Sequence, residues 1–233
     1  MLNKFKIYFL ALILNLTFNQ GFSQEPVMDR FNATNYTWLQ KLSLYDINIE
    51  GSPYVNESFV NGVVVLDSIN SFSGKLRIDA YAQKFQTLNK SGQIFEILID
   101  NNDYVKIGEI KYSFHKFENE ELGDYGILRE CISLDNIKLY FFPRKRLKKP
   151  IEASRTVANS GYGKTATPEW IDDSTYLIFY QGKYIKFSQN HKKFLQLGLV
   201  NEASYKSFRK KSKINLKNEK DLIELVRFIN SEV

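Results

Sequence analysis

Ala158-Asn-Ser-Gly-Tyr-Gly-Lys164-Thr165 carries the residue types of a phosphate-binding loop. In such loops backbone amides cradle phosphates, the lysine reaches the terminal groups and the hydroxyl holds magnesium. The flanks argue against that use here. Glu152 to Val157 is too polar for the buried strand that should precede the loop. Pro168, three residues after Thr165, stops the helix that should follow. The segment reads as a polar loop rich in glycine and serine, and no cofactor is expected.

The other reactive types are sparse. There are two histidines, His115 and His191, and one cysteine, Cys131, none at metal-ligand spacing. A histidine-based triad would lack its Gly-x-Ser-x-Gly elbow. Cys131 lies in the apolar stretch Gly126 to Ile132 and reads as a buried small hydrophobe. Glu118, Glu120 and Glu121 form one acidic group, and Asp172 with Asp173 another. Two carboxylates facing across a cleft would suit glycoside hydrolysis, so a hydrolase using loop carboxylates is the second reading. Both groups look like solvated turns. Asp100, Asn101, Asn102 and Asp103 offer oxygen ligands but lack the calcium-loop spacing and glycine.

Charge is the more informative feature. From Glu25 to Ile137 there are 10 basic and 17 acidic residues, a balance of −7; from Lys138 to Val233 there are 20 and 9, a balance of +11. A chain so divided offers a basic face to an anionic partner, or has two parts that attract each other. The candidate binding residues are Arg144, Lys145, Arg146, Lys148 and Lys149, which follow the aromatic strand end Tyr140 to Pro143. A second run, Arg209 to Lys213, ends a predicted helix, where positive charge also complements the helix dipole.

These residues need elements to hold them. The chain opens with Lys4 and Lys6, an apolar run from Ile7 to Phe18, and small residues at Gly21 and Ser23. That is the layout of a secretory signal peptide over 1–23, too short to span a bilayer comfortably. No cysteine follows it to carry a lipid anchor, and no later stretch reaches transmembrane length. The expected product is exported, soluble and periplasmic, with extracellular release the other possibility. Nucleic acid is not an expected partner there; an envelope protein, an anionic glycan or a lipid headgroup is.

The pattern predicts a β-rich domain over 24–190, with strands at Phe59–Leu66, Gly74–Tyr81, Gln93–Ile99, Tyr104–Phe117, Tyr125–Ser133 and Ile137–Phe142. In Gly74–Tyr81, Leu76, Ile78 and Ala80 face inward, and Lys75, Arg77 and Asp79 face outward. Ser73-Gly74 and Ser91-Gly92 read as turns. Residues 148–172 read as one long surface loop. A hairpin follows, Thr175–Tyr180 and Tyr184–Phe187 around Gln181-Gly182-Lys183. Helices are predicted at Lys192–Leu197, at Glu202–Lys211 capped by Asn201, and after Asn218, with Asp221 completing a capping box. Leu222, Leu225, Val226 and Ile229 give the last helix one apolar stripe. The fold class is mainly β (an antiparallel sandwich, barrel or curved sheet) with a small α-helical unit over 191–233.

Gly51-Ser-Pro-Tyr-Val-Asn-Glu-Ser-Phe59 resembles the opening of a family of uncharacterised exported β-rich proteins of Bacteroidota. Lys193-Phe-Leu-Gln-Leu-Gly198 and the lysine-rich segment Asn215 to Val226 resemble that family's C-terminal end. Asp79-Ala-Tyr-Ala-Gln83 departs from its tyrosine- and asparagine-rich strand. The resemblance implies export and a β-rich fold, and it transfers no catalytic residue. The function expected is a non-enzymatic envelope binding or interaction module.

Overall fold

A computed structural model describes residues 39–41, 45, 49–66, 70–100, 102–119, 121–149 and 167–232. The signal-like segment and the phosphate-loop-like segment lie outside the described residues.

Thirteen strands precede three helices. They are β1 (Leu39–Lys41), β2 (Val60–Leu66), β3 (Asn70–Asp79), β4 (Lys84–Leu88), β5 (Ile94–Ile97), β6 (Tyr104–Ile107) and β7 (Ile110–Asn119). Then come β8 (Gly123–Ser133), β9 (Ile137–Phe142), β10 (Lys145–Lys148), β11 (Glu169–Asp172), β12 (Thr175–Tyr180) and β13 (Lys183–Lys186). The helices are α1 (His191–Leu195), α2 (Glu202–Ser212) and α3 (Glu219–Glu232).

Eleven strands form one sheet in the order β1-β5-β4-β3-β2-β6-β7-β8-β9-β12-β13, every neighbour antiparallel; β10 and β11 form a separate pair. Among the three predicted architectures this is the curved sheet, because its edges do not close into a barrel. The curvature can be read from contacts. Gln83, in the turn after β3, accepts from the Ile127 amide on β8 at 2.8 Å, although β2, β6 and β7 lie between those strands. The first half thus curls around Val64, Leu76, Ile78, Phe85, Val105 and Ile127. The second half curls toward the opposite face, where Tyr184 on β13 meets His115 on β7 around Phe117, Leu128, Phe142 and Leu177. Gly126 makes that second curl possible. A Cβ there would stand 2.5 Å from the Phe142 ring and 2.9 Å from Phe117.

The helices cover the outside of the second curl. Leu222, Leu225, Val226 and Ile229 of α3 are fully buried against Ile137, Leu139 and Ile178. Each such burial contributes about 1.5–3 kcal/mol. Arg129 on β8 pairs with Glu219 in the first turn of α3, and Tyr176 on β12 donates to the same carboxylate at 2.8 Å, so the helix start is locked to the sheet. Asn218 caps α3 as predicted, accepting from the amides of Lys220 and Asp221. Asp221 does not complete a capping box: its carboxylate turns away to accept from the Asn215 amide at 2.8 Å.

Several predicted boundaries shift. Gly74 is no turn; it lies inside β3, opposite Gly62 on β2. The run Tyr104–Phe117 is two strands, broken at Gly108, whose φ is +60°. β4 has no counterpart among the predicted strands, and Lys148 with Glu169–Asp172 are strand residues, which narrows the long loop at both ends. The β12–β13 hairpin turns on Gln181 and Gly182, both with positive φ (49° and 77°), as a tight primed turn requires.

Candidate functional site

The basic run after β9 becomes β10, and the chain returns beside it as β11. Register places Lys145 opposite Asp172 and Lys148 opposite Glu169. Their ion pairs are 3.7 Å and 3.5 Å, and Asp173 receives both Arg144 at 3.7 Å and Arg146 at 3.8 Å. Lys149 is exposed and has no carboxylate partner among the described residues. Five cations thus face three acids and keep a surplus of two positive charges. Such exposed pairs contribute roughly 0–1 kcal/mol each, so they leave the cations available to a stronger anion.

The second basic run has no such counterweight. Arg209, Lys210 and Lys211 end α2, and Lys213 and Lys217 follow; all are exposed, and none has a carboxylate within ion-pair distance among the described residues. Among the described residues the one ion pair on this helix is Lys206 with Glu202, one turn apart. Tyr205 and Phe208 turn inward, Phe208 stacking on Phe228 of α3 at 4.3 Å. The outer side of α2 is therefore polar and cationic. Lys213 adopts a left-handed conformation (φ 50°, ψ 37°) at the helix end, a place where glycine is the usual residue.

A buried polar group lies where the sequence pattern placed solvent. Arg77 and Asp79 are 7% and 1% exposed, because residues 53–55 pair alongside the end of β3, Tyr54 opposite Asp79, and the side chains of Tyr45, Tyr54 and Phe59 cover that face. Gly51, with φ +81°, passes against Trp170, and Glu50 exchanges backbone hydrogen bonds with Pro168 and Trp170. The Pro53 carbonyl accepts from Ala80, and Val55 donates to Ile78. Arg77 donates to Gln86 at 2.8 Å and to the Glu57 carbonyl at 3.0 Å, with the rings of Tyr54 and Phe59 at 3.4 Å and 4.2 Å. Asp79 accepts from Tyr45, the amides of Tyr81 and Ala82, and Gln86. Burial raises its pKa despite those donors. The carboxylate is fully occupied, so the group ties the Gly51-Ser-Pro-Tyr54 segment to the sheet rather than offering a reactive acid.

His115 sits in a hydrogen-bonded chain. Ser113 Oγ is 2.8 Å from its Nε2, and Tyr184 Oη is 2.7 Å from its Nδ1. A Ser–His contact of that length is what a nucleophile and base need. Two facts oppose the role. Burial, with Lys138 nearby, pushes the imidazole pKa down to about 4, too weak a base for neutral pH. The third member is a phenol, not a carboxylate that would support an imidazolium. The chain joins β7 to β13 and is structural.

The remaining candidates are also accounted for. Glu121 pairs with Lys186 at 2.7 Å; the side chains of Glu118 and Glu120 lie outside the described residues. Asp103 accepts from the Asp100 amide at 2.7 Å, closing its own turn. Among the described residues no cluster of three metal-ligating side chains occurs. Burial pushes the Cys131 thiol up to about 12, which leaves it unreactive. No described helix is long and apolar enough to cross a membrane. In comparisons with known proteins, no family model, no curated protein and no solved structure matches the chain.

Proposed function

We propose that the protein is an exported, non-enzymatic module that attaches to an anionic surface of the cell envelope, working in the periplasm. One observation carries the reading: the positive charge of Arg209, Lys210, Lys211, Lys213 and Lys217 is unpaired among the described residues. The surplus on Arg144, Lys145, Arg146, Lys148 and Lys149 adds to it. Lys213 extends this cationic surface past the end of α2, exposed and in a left-handed conformation.

The outer side of α2 presents no large apolar residue to insert into lipid. Attachment is therefore electrostatic, about 1 kcal/mol per cation near an anionic headgroup layer, and weakens with salt. Sedimentation of the chain from Gln24 onward with phosphatidylglycerol vesicles tests this at 50 and 300 mM salt. The expected result is binding at low salt, loss at high salt, and at least tenfold weaker binding for Arg209→Gln/Lys210→Gln/Lys211→Gln. Salt-independent binding, or an unaffected triple variant, overturns it.

A further inference from the structure

We propose that the outer face of β2, β3 and β6 is a separate binding site for an oligosaccharide that carries carboxylates. An open trough of about 500 Å³ lies there, lined by Asn61, Val63, Ser73, Lys75 and Lys106. That volume falls among those of small-molecule sites, roughly 300–1,000 Å³. Register explains the grouping. Val63 on β2 stands opposite both Ser73 on β3 and Lys106 on β6, and Asn61 stands opposite Lys75. Residues directly opposite one another share a face of the sheet. Gly62 keeps the strands at this spacing, because a Cβ there would meet the Lys106 carbonyl at 2.5 Å.

The charge pattern is a second, independent observation. Lys106 stands directly opposite Lys111 on β7. Like charges so placed destabilise a sheet. Lys111 turns its ammonium to the Tyr104 ring, 4.5 Å from the centroid. Among the described residues no carboxylate lies within ion-pair distance of Lys75, Lys106 or Lys111. A bound anion would convert that repulsion into attraction.

Spacing selects the ligand class. Lys75 and Lys106 flank β2 and are offset along it by two residues, which puts their Cα atoms roughly 12 Å apart. A chain with repeated charges uses two cations so separated better than one compact ion does. The Asn61 amide and Ser73 hydroxyl between them suit sugar hydroxyls. Among the described residues no aromatic ring lines the trough, so discrimination rests on charge rather than on stacking against a neutral sugar.

The site shares with the proposed function only the premise of an anionic envelope partner, and it uses a different surface. Calorimetric titration of the chain from Gln24 onward with a galacturonate tetramer tests it, beside the methyl-esterified tetramer and inorganic phosphate. The expected result is binding of the acidic tetramer alone, weakened at least tenfold in Lys75→Gln/Lys106→Gln and changed less than twofold in Arg209→Gln/Lys210→Gln/Lys211→Gln. Retention of the wild-type Tm by the first variant excludes misfolding as the cause; Lys75→Met/Lys106→Met serves if Gln does not fold. Absence of tetramer binding, equal binding by either variant at the trough, or equal binding of the ester or of phosphate overturns the site. Vesicle sedimentation of Lys75→Gln/Lys106→Gln is expected to match wild type, so failure here and failure of the α2 reading are read separately.

Discussion

The guanidinium of Arg77 lies over the ring of Tyr54, 3.4 Å from its centroid, and this contact joins the Gly51-Ser-Pro-Tyr54 segment to β3. Arg77 is buried and Tyr54 half-buried, and the cation's remaining donors go to Gln86 and the Glu57 carbonyl. A desolvated cation–π contact contributes about 2 kcal/mol. Tyr54→Leu is expected to destabilise the fold by roughly 2 kcal/mol, and Arg77→Met by more, because Gln86 then loses its partner. A double-mutant cycle in urea checks the coupling; an interaction energy near zero would contradict the assignment.

His115 makes stability fall with acid. Its folded pKa, about 4, lies below the ordinary 6.5. Between those values the unfolded chain binds the proton and the folded one does not. Stability from this group is therefore complete above pH 6.5 and is lost as pH falls toward 4, by up to about 3 kcal/mol. Urea midpoints of wild type and His115→Gln, measured from pH 7.5 to 4, should converge as pH drops. Parallel curves would show that the imidazole titrates normally.

Lys213→Gly should act in opposite senses on stability and binding. A left-handed backbone costs a non-glycine residue roughly 1 kcal/mol, so the variant is expected to melt higher. It also removes one of the exposed cations, so affinity for anionic vesicles should fall about fivefold at low salt. A variant that is more stable but binds unchanged would remove Lys213 from the surface.

The acids of β11 compete with any anion that approaches β10. Asp172→Asn/Asp173→Asn frees Arg144, Lys145 and Arg146 from their 3.7–3.8 Å partners. The stability change should stay within about 1 kcal/mol, as for other exposed pairs. Vesicle binding should strengthen, severalfold at 50 mM salt and little at 300 mM. Weaker binding would mean that β10 and β11 act as a unit whose geometry depends on the pairs.

The elements that were legible are those whose cause is local. Asn201 and Asn218 announce the starts of α2 and α3, and Gln181-Gly182 announces its hairpin, because caps and turns are settled within four residues. β4 leaves no signal in the sequence because Lys84–Leu88 is short and has no run of alternating apolar residues. The split of Tyr104–Phe117 does leave a trace, a one-residue slip in the alternation: the inward apolar positions are odd at Val105 and Ile107 and even at Tyr112 and Phe114, on either side of Gly108. Arg77 and Asp79 read as solvent-facing because alternation reports one covered face, and the cover on the other comes from Tyr45, Tyr54 and Phe59.

The sequence by itself determined the strand-rich class, the helical end and the division of charge, since each depends on residue type and near neighbours. Only the tertiary structure decided which charges are free. The cations of β10 and the acids of β11 are 21 to 27 residues apart in the chain and become partners only through strand pairing. The cations that end and follow α2 stay unpaired among the described residues because that helix's one acid, Glu202, sits in its first turn and pairs with Lys206, and Lys75 joins Lys106 only because β6 returns beside β2. Coulomb interactions depend on distance in space, and that distance is set by register and curvature rather than by position along the chain.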